Sequence, residues 1–287
     1  MKKVIVIFFV ITMCFVQIYA EGEHLTIDGI KFHYEKQGEG PAVILVHGWG
    51  VSLDSWHFLF PDLTDKYTVI RYDRRGFGKS EGIPNLSQDP ADLSHLLKHL
   101  KIEKAVIIGH SQGAEVALRF VLSFPEQSSG LVLFGCSTPD GFGLSWNGPD
   151  AFPADMIQTA QDKGLDAMRA LFAGHPLGNG FVVGTEGNEI MAKMFLAYEG
   201  KDLLNPQPKR KINSKSSIER LSEISVSTLV ITGELEMPYF KIVSDALAYG
   251  ITNSERVIVK GGGHSVMLQQ PERFNAEIKR FLSKLSL

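Results

Sequence analysis

Two residues stand where acyl-transfer chemistry needs them. Ser111 lies in Gly109-His110-Ser111-Gln112-Gly113, directly after the apolar run Ala105–Ile108 and directly before a helical pattern, Gln112–Phe124, that ends at Pro125. That order puts the serine on a sharp strand-to-helix turn, its hydroxyl exposed above a sheet and its flanking glycines admitting the close backbone approach the turn requires. A helix opening at Gln112 also aims amide donors and its positive end at the same point. A serine hydroxyl is a weak nucleophile until a hydrogen-bonded imidazole takes its proton. Of the nine histidines only His264, in Gly261-Gly262-Gly263-His264-Ser265, follows the last apolar strand at a glycine-rich turn, so it is the candidate base.

The elements that must position these residues alternate along the chain. His24 to Asp28 and Ile30 to Lys36 alternate apolar with polar side chains around Asp28-Gly29, which suits the positive φ angles of a hairpin turn. Continuous apolar runs follow at Ala42–Val46, Thr68–Tyr72, Ala105–Ile108, Gly130–Phe134, Thr228–Ile231 and Arg256–Val259, the pattern of strands covered on both faces. Helical patterns lie between them, the clearest at Pro90–Leu100, Gln112–Phe124, Tyr239–Tyr249 and Pro271–Leu285. Alternating strands and helices predict an α/β fold with a mostly parallel sheet and right-handed crossovers. The alternation fails over 137–216, where helical pieces at Asp155–Lys163, Leu165–Ala173 and Glu189–Tyr198 interrupt irregular aromatic, glycine and proline residues. This stretch is expected to be an inserted, mainly helical cap over the carboxyl ends of the strands, with 21–136 and 217–287 forming the core.

The motif at Ser111 resembles the nucleophile elbow of the α/β-hydrolase family, and the resemblance covers most of the chain beyond residue 20. It includes His47-Gly48-Trp49-Gly50 after Ala42–Val46, and Asp73-Arg74-Arg75-Gly76-Phe77-Gly78-Lys79-Ser80, which looks like that family's strand-end turn Asp-x-Arg-Gly-x-Gly-x-Ser. The resemblance implies that the backbone N–H groups of Trp49 and Gln112 are the oxyanion donors, and that His47 fixes a loop rather than acting as base. It also implies an acid after the strand Thr228–Ile231. Glu236 stands where the family usually has Asp, with Glu234 and Asp140 as alternatives. Serine rather than aspartate at the elbow points to an acyl-enzyme, so carboxylic ester hydrolysis is expected. Lactone or carbon–carbon bond hydrolysis on the same triad, or a ligand-binding protein that kept the fold, remain open.

The chain has 287 residues, 44% hydrophobic and 21% charged, with a net charge of −3, which suggests no nucleic-acid partner. Lys2 and Lys3 precede an apolar run from Val4 to Val16, and Ala20 stands just before Glu21-Gly22-Glu23. This is read as a signal peptide over 1–20, because the run is shorter than the ~20 residues that span a bilayer. An uncleaved anchor is the alternative. The expected protein is exported, periplasmic or secreted, without stable membrane insertion after cleavage. Cys136 is then its only cysteine, so no internal disulfide can form. The basic run Lys209-Arg210-Lys211 reads as a solvated face. No metal-ligand cluster or phosphate-binding loop is legible, so no metal or cofactor is expected and the partner is a small-molecule ester. Phe142, Trp146, Phe152, Met156, Phe172, Phe181, Met191, Met194 and Phe195 supply apolar material for the cap and a pocket beneath it. The sequence is silent on oligomeric state.

Overall fold

Continuous apolar runs make sense if each strand is buried on both sides. The computed structural model describes residues 22–137, 139–142, 154–175, 177, 184–205 and 215–287. Its strands are β1 (Glu23–Ile27), β2 (Ile30–Gln37), β3 (Ala42–Val46), β4 (Thr68–Tyr72), β5 (Ala105–His110), β6 (Ser128–Phe134), β7 (Thr228–Gly233) and β8 (Ser254–Val259). They form one sheet in the order β1-β2-β4-β3-β5-β6-β7-β8. The pairs β1–β2 and β2–β4 are antiparallel, and all later neighbours are parallel. Asp28 and Gly29 both take positive φ, 49° and 78°, in the turn that joins β1 to β2.

The helices of the described residues are α1 (Leu59–Leu63), α2 (Asp89–His99), α3 (Gln112–Ser123), α4 (Ala154–Lys163), α5 (Leu165–Ala173), α6 (Glu186–Ala197), α7 (Lys201–Leu204), α8 (Pro238–Gly250), α9 (Val266–Gln269) and α10 (Pro271–Leu282). Successive side chains of β3 point to opposite faces. Ile44 and Val46 join the layer of α2, α3 and α8, while Val43 and Leu45 join that of α1 and α10. Each such buried aliphatic side chain contributes about 1.5–3 kcal/mol, and with both faces filled no polar residue marks a period of two. β3 and β5 are neighbours, and the chain leaves β3 for β4 on one side and β5 for β6 on the other, so a crevice opens at the carboxyl ends of β3 and β5. His47-Gly48-Trp49 leaves the first end and Ser111 the second.

Helices α4 to α7 lie between β6 and β7 and share a separate apolar cluster of Met156, Met168, Phe172, Tyr198 and Leu203 with Phe77. Helix α6 also packs on α9 and on the short 3-10 turn Leu53–Trp56. The expected leader over 1–20, Trp146, Phe152, Phe181 and Lys209-Arg210-Lys211 lie outside the described residues. No helix of the described residues is long and apolar enough to cross a membrane.

The structure moves several boundaries. β5 continues to His110 and β7 to Gly233, because parallel pairing persists after the apolar side chains stop. α6 begins at Glu186 rather than Glu189, since the extended Thr185 is where the helix can start. The C-terminal helix closes at Leu282 rather than Leu285. Helices α1 and α9 gave no periodic signal: one is five residues with Pro61 inside it, the other four residues before Pro271.

A tight contact joins β3 to α3. A Cβ added to Gly113 would lie 2.2 Å from the Val46 carbonyl oxygen and 2.4 Å from that of His47. Gly to Ala inside a helix ordinarily gains about 1 kcal/mol. Here the overlap is with backbone and reverses the sign. Gly113→Ala is expected to lower Tm by about 4 °C or more in a thermal melt, and a raised Tm would contradict this packing account.

Candidate active site

Ser111 follows β5 with φ 53° and ψ −121°, a conformation non-glycine residues rarely adopt. Neighbours hold it there. The Ser111 N–H donates to the Phe134 carbonyl at 3.0 Å, and the Ser137 N–H donates to the Ser111 carbonyl at 3.2 Å. A Cβ on Gly109 would lie 2.4 Å from the Gly113 carbonyl oxygen, so the elbow closes only with glycine there.

The structure brings Ser111, His264 and Glu236 into one chain of hydrogen bonds. His264 Nδ1 is 2.9 Å from Glu236 Oε2, and its Nε2 is 3.0 Å from Ser111 Oγ. Because a carboxylate only accepts, Nδ1 carries the proton and Nε2 is free to accept from the serine hydroxyl. The Glu236 carboxylate is buried, and its other oxygen accepts from the Met237 N–H at 2.9 Å. The imidazole packs against the rings of Phe240, at 4.4 Å, and His110, at 4.9 Å. The two alternative acids lie elsewhere. Glu234 is exposed and accepts from the Gly261 N–H, whereas Asp140 accepts from the hydroxyl and N–H of Ser217.

Trp49 and Gln112 flank the serine from the ends of β3 and β5. Gln112 is the first residue of α3, so its N–H has no acceptor within the helix. The loop before Trp49 is fixed by two buried groups. His47 Nε2 accepts from the Arg74 N–H at 2.9 Å, which leaves Nδ1–H to donate to the Gly48 carbonyl at 2.8 Å. The Arg74 guanidinium donates to the carbonyls of His47 and Gly48 at 3.3 and 3.4 Å, to Gln112 Oε1 at 2.9 Å, and to Asp89 at 2.5 Å.

Burial, then the nearby Arg74 charge, pushes the His47 imidazole down to about 4. Burial does the same to His110, well below its ordinary value, and its Nε2–H donates to the His264 carbonyl at 2.9 Å. Both rings are neutral supports. Cys136 is buried, with its thiol pushed well up by burial and then by the Glu115 charge, so it acts as packing.

Beside Ser111 lies a cavity of about 100 Å³, lined among the described residues by Trp49, Phe172, Met191, Phe195, Tyr239 and Phe240 with others. Phe142 packs instead at the core beside Tyr239. The Trp49 indole N–H donates to Asp202 at 2.6 Å, and the Tyr198 hydroxyl donates to the same carboxylate. Sequence reasoning missed Arg74, His110 and Asp202 as supports. Their partners lie far away in sequence, and a buried arginine pairing with Asp89 leaves no local spacing to read.

Neutral His47 sets a pH dependence of stability. Its unfolded value is near 6.5 and its folded value about 4, so on acidification the unfolded chain takes up the proton first. The folded state's advantage is whole above about pH 6.5 and is lost progressively down to about pH 4, amounting to about 3 kcal/mol. Urea melts across that range should show falling stability, with a shallower slope for His47→Gln. Flat wild-type stability would contradict a buried neutral imidazole.

The sequence model described as the alpha/beta hydrolase fold matches residues 41–271. A putative 2-succinyl-6-hydroxy-2,4-cyclohexadiene-1-carboxylate synthase from Bacillus subtilis (strain 168) is 29% identical over 277 residues, covering 90% of this chain and 97% of that one. A bifunctional esterase/perhydrolase from Acinetobacter calcoaceticus is 21% identical over 270 residues, covering 90% and 98%. Among solved structures, a thermophilic esterase from Thermogutta terrifontis matches with a TM-score of 0.72 and 25% identity, covering 92% and 99%. With a family match spanning most of its length and a sheet of the same class, this chain belongs to the alpha/beta hydrolase fold family.

Proposed function

We propose that the protein is a serine hydrolase that cleaves carboxylic esters through an acyl-enzyme on Ser111. The observation that carries this reading is the hydrogen-bond chain from Ser111 Oγ through His264 to the buried Glu236 carboxylate. In this reading His264 Nε2 takes the hydroxyl proton as Oγ attacks the ester carbonyl, and Glu236 orients the ring and stabilises the imidazolium. The imidazolium then gives its proton to the departing alkoxide. Water repeats the sequence on the acyl-enzyme, releasing the acid and restoring Ser111. Esterases among the similar proteins support the same bond type.

The negative oxygen of each tetrahedral intermediate would sit against the N–H groups of Trp49 and Gln112. Arg74 matters here through the peptide plane. The Gly48 carbonyl and the Trp49 N–H belong to one planar trans peptide, so donors that hold the carbonyl on one side aim the N–H to the other. The helical insertion is read as a cap that bounds the substrate, since Phe172, Met191 and Phe195 line the cavity. Residues 1–20 are read as a leader for export, which a mature mass beginning near Glu21 would support and an intact Met1 on membrane-bound material would refute.

The direct test is covalent labelling by a fluorophosphonate together with turnover of p-nitrophenyl esters. Wild type should label and turn over; Ser111→Ala should do neither. Glu236→Ala should reduce kcat by about 10⁴-fold, with Glu234→Ala near wild type. A protein that neither labels nor hydrolyses any ester is not an esterase, and a reversed pair of glutamate results moves the acid. Arg74→Lys keeps the charge opposite Asp89 but loses the fork. It should lower kcat about 10- to 100-fold with KM little changed, short of the loss from deleting a donor outright. Unchanged kcat would remove Arg74 from this role.

A further inference from the structure

We infer that the acyl group of the substrate is short and uncharged, and that the cavity beside Ser111 rejects esters whose acyl group carries a carboxylate. This rests on the ester-hydrolase reading above and adds the class of substrate to it.

Size is the first observation. The acyl group is the part of an ester that stays bonded to Oγ while the alcohol leaves, so a cavity against Ser111 is its place. That cavity measures about 100 Å³, where sites for drug-sized ligands hold about 300–1,000 Å³. It admits a few heavy atoms beyond the carbonyl.

Wall chemistry is the second. Apolar side chains, with five aromatic residues, Met191, Val51 and Leu177, dominate the surface, and among the described residues no lysine or arginine lines it. Positions 138, 143–153, 176 and 178–183 contain no lysine, arginine or histidine in the sequence, whereas 206–214 contain Lys209, Arg210 and Lys211. Of the two histidines at the wall, His264 faces Ser111 and Glu236, and buried His110 is neutral.

Charge behind the wall is the third, and it is negative. Glu236 lies 2.9 Å behind His264, the buried Glu115 accepts from the Ser137 hydroxyl at 2.9 Å, and Asp202 accepts from the Trp49 indole at 2.6 Å. The buried cations near the oxyanion loop already have carboxylates of their own. Arg74 pairs with Asp89 at 2.5 Å and Arg75 with Asp92 at 2.6 Å. A carboxylate entering this cavity would surrender its water with no cation among the described lining residues to replace it, and would stand close to other carboxylates in a medium of low dielectric. An uncharged carbonyl of the same shape loses far less.

A matched pair of esters separates charge from shape. Ethyl levulinate and monoethyl succinate have acyl groups of equal heavy-atom count, differing by a methyl ketone against a carboxylate, and a pH-stat follows both on the full chain. The expected kcat/KM for the succinate is at least about 100-fold lower, and ethyl octanoate should fall at least about tenfold below ethyl butanoate. Leu177→Arg, which places a cation at the wall, should raise the succinate-to-levulinate ratio at least about tenfold. Equal turnover of the matched pair overturns the charge claim while leaving the esterase reading intact. So does efficient succinate turnover that vanishes in a Lys209→Gln, Arg210→Gln, Lys211→Gln variant, because the cation would then come from that run. Equal use of octanoate and butanoate overturns the size claim. A wild type that hydrolyses none of these esters overturns the hydrolase reading and this one with it.

Discussion

Everything at this site depends on how closely β3 and α3 approach at the elbow. Gly113 brings α3 onto the end of β3, and Gly109 folds β5 back onto α3, until a methyl group at either would collide with carbonyl oxygens at 2.2 to 2.4 Å. Ser111 is thereby driven to φ 53°, at a cost of about 1–3 kcal/mol for such a residue. That strain persists because Phe134 and Ser137 clasp the turn from the neighbouring strand and its exit. The same clasp fixes where the hydroxyl stands, and so where an imidazole arriving from the end of β8 has to reach.

Charge is managed around that point rather than spread through it. Arg74 is fully buried, yet a buried ion pair often adds little net stability, because desolvation offsets the attraction. Its contribution is geometric. One planar fork holds the loop after β3, the first residue of α3 and Asp89, three segments that share no covalent neighbour. Neutral His47 and His110 fill the remaining donor positions, since a charged ring in either place would have to be desolvated. The insertion reaches the same loop from outside through Asp202 on the Trp49 indole, so the wall of the cavity and the loop beside Ser111 are one connected structure.

Much of this was legible in the chain. Ser111 and His264 could be found because glycine patterns and position after a strand are local signals, and a mostly parallel sheet follows from the alternation of strands with helices. The run Ala42–Val46 was readable to the residue because both its faces are buried. Glu236 was distinguishable from Glu234 only by a resemblance; in the folded chain the turn after β7 sends one carboxylate inward to His264 and leaves the other exposed. Helices α1 and α9 are too short to show a period. Arg74 and Asp202 were silent, because their meaning lies in partners brought close by the sheet and the insertion rather than in any spacing along the sequence.

The central claim is that Ser111 carries the acyl group during turnover. Rapid acid quench of the protein mixed with p-nitrophenyl butanoate, followed by mass analysis of its peptides, observes that species directly. The account predicts a butanoyl adduct on the peptide containing Ser111 during turnover, absent in Ser111→Ala. An adduct on another residue, or steady ester hydrolysis that persists in Ser111→Ala, would contradict it.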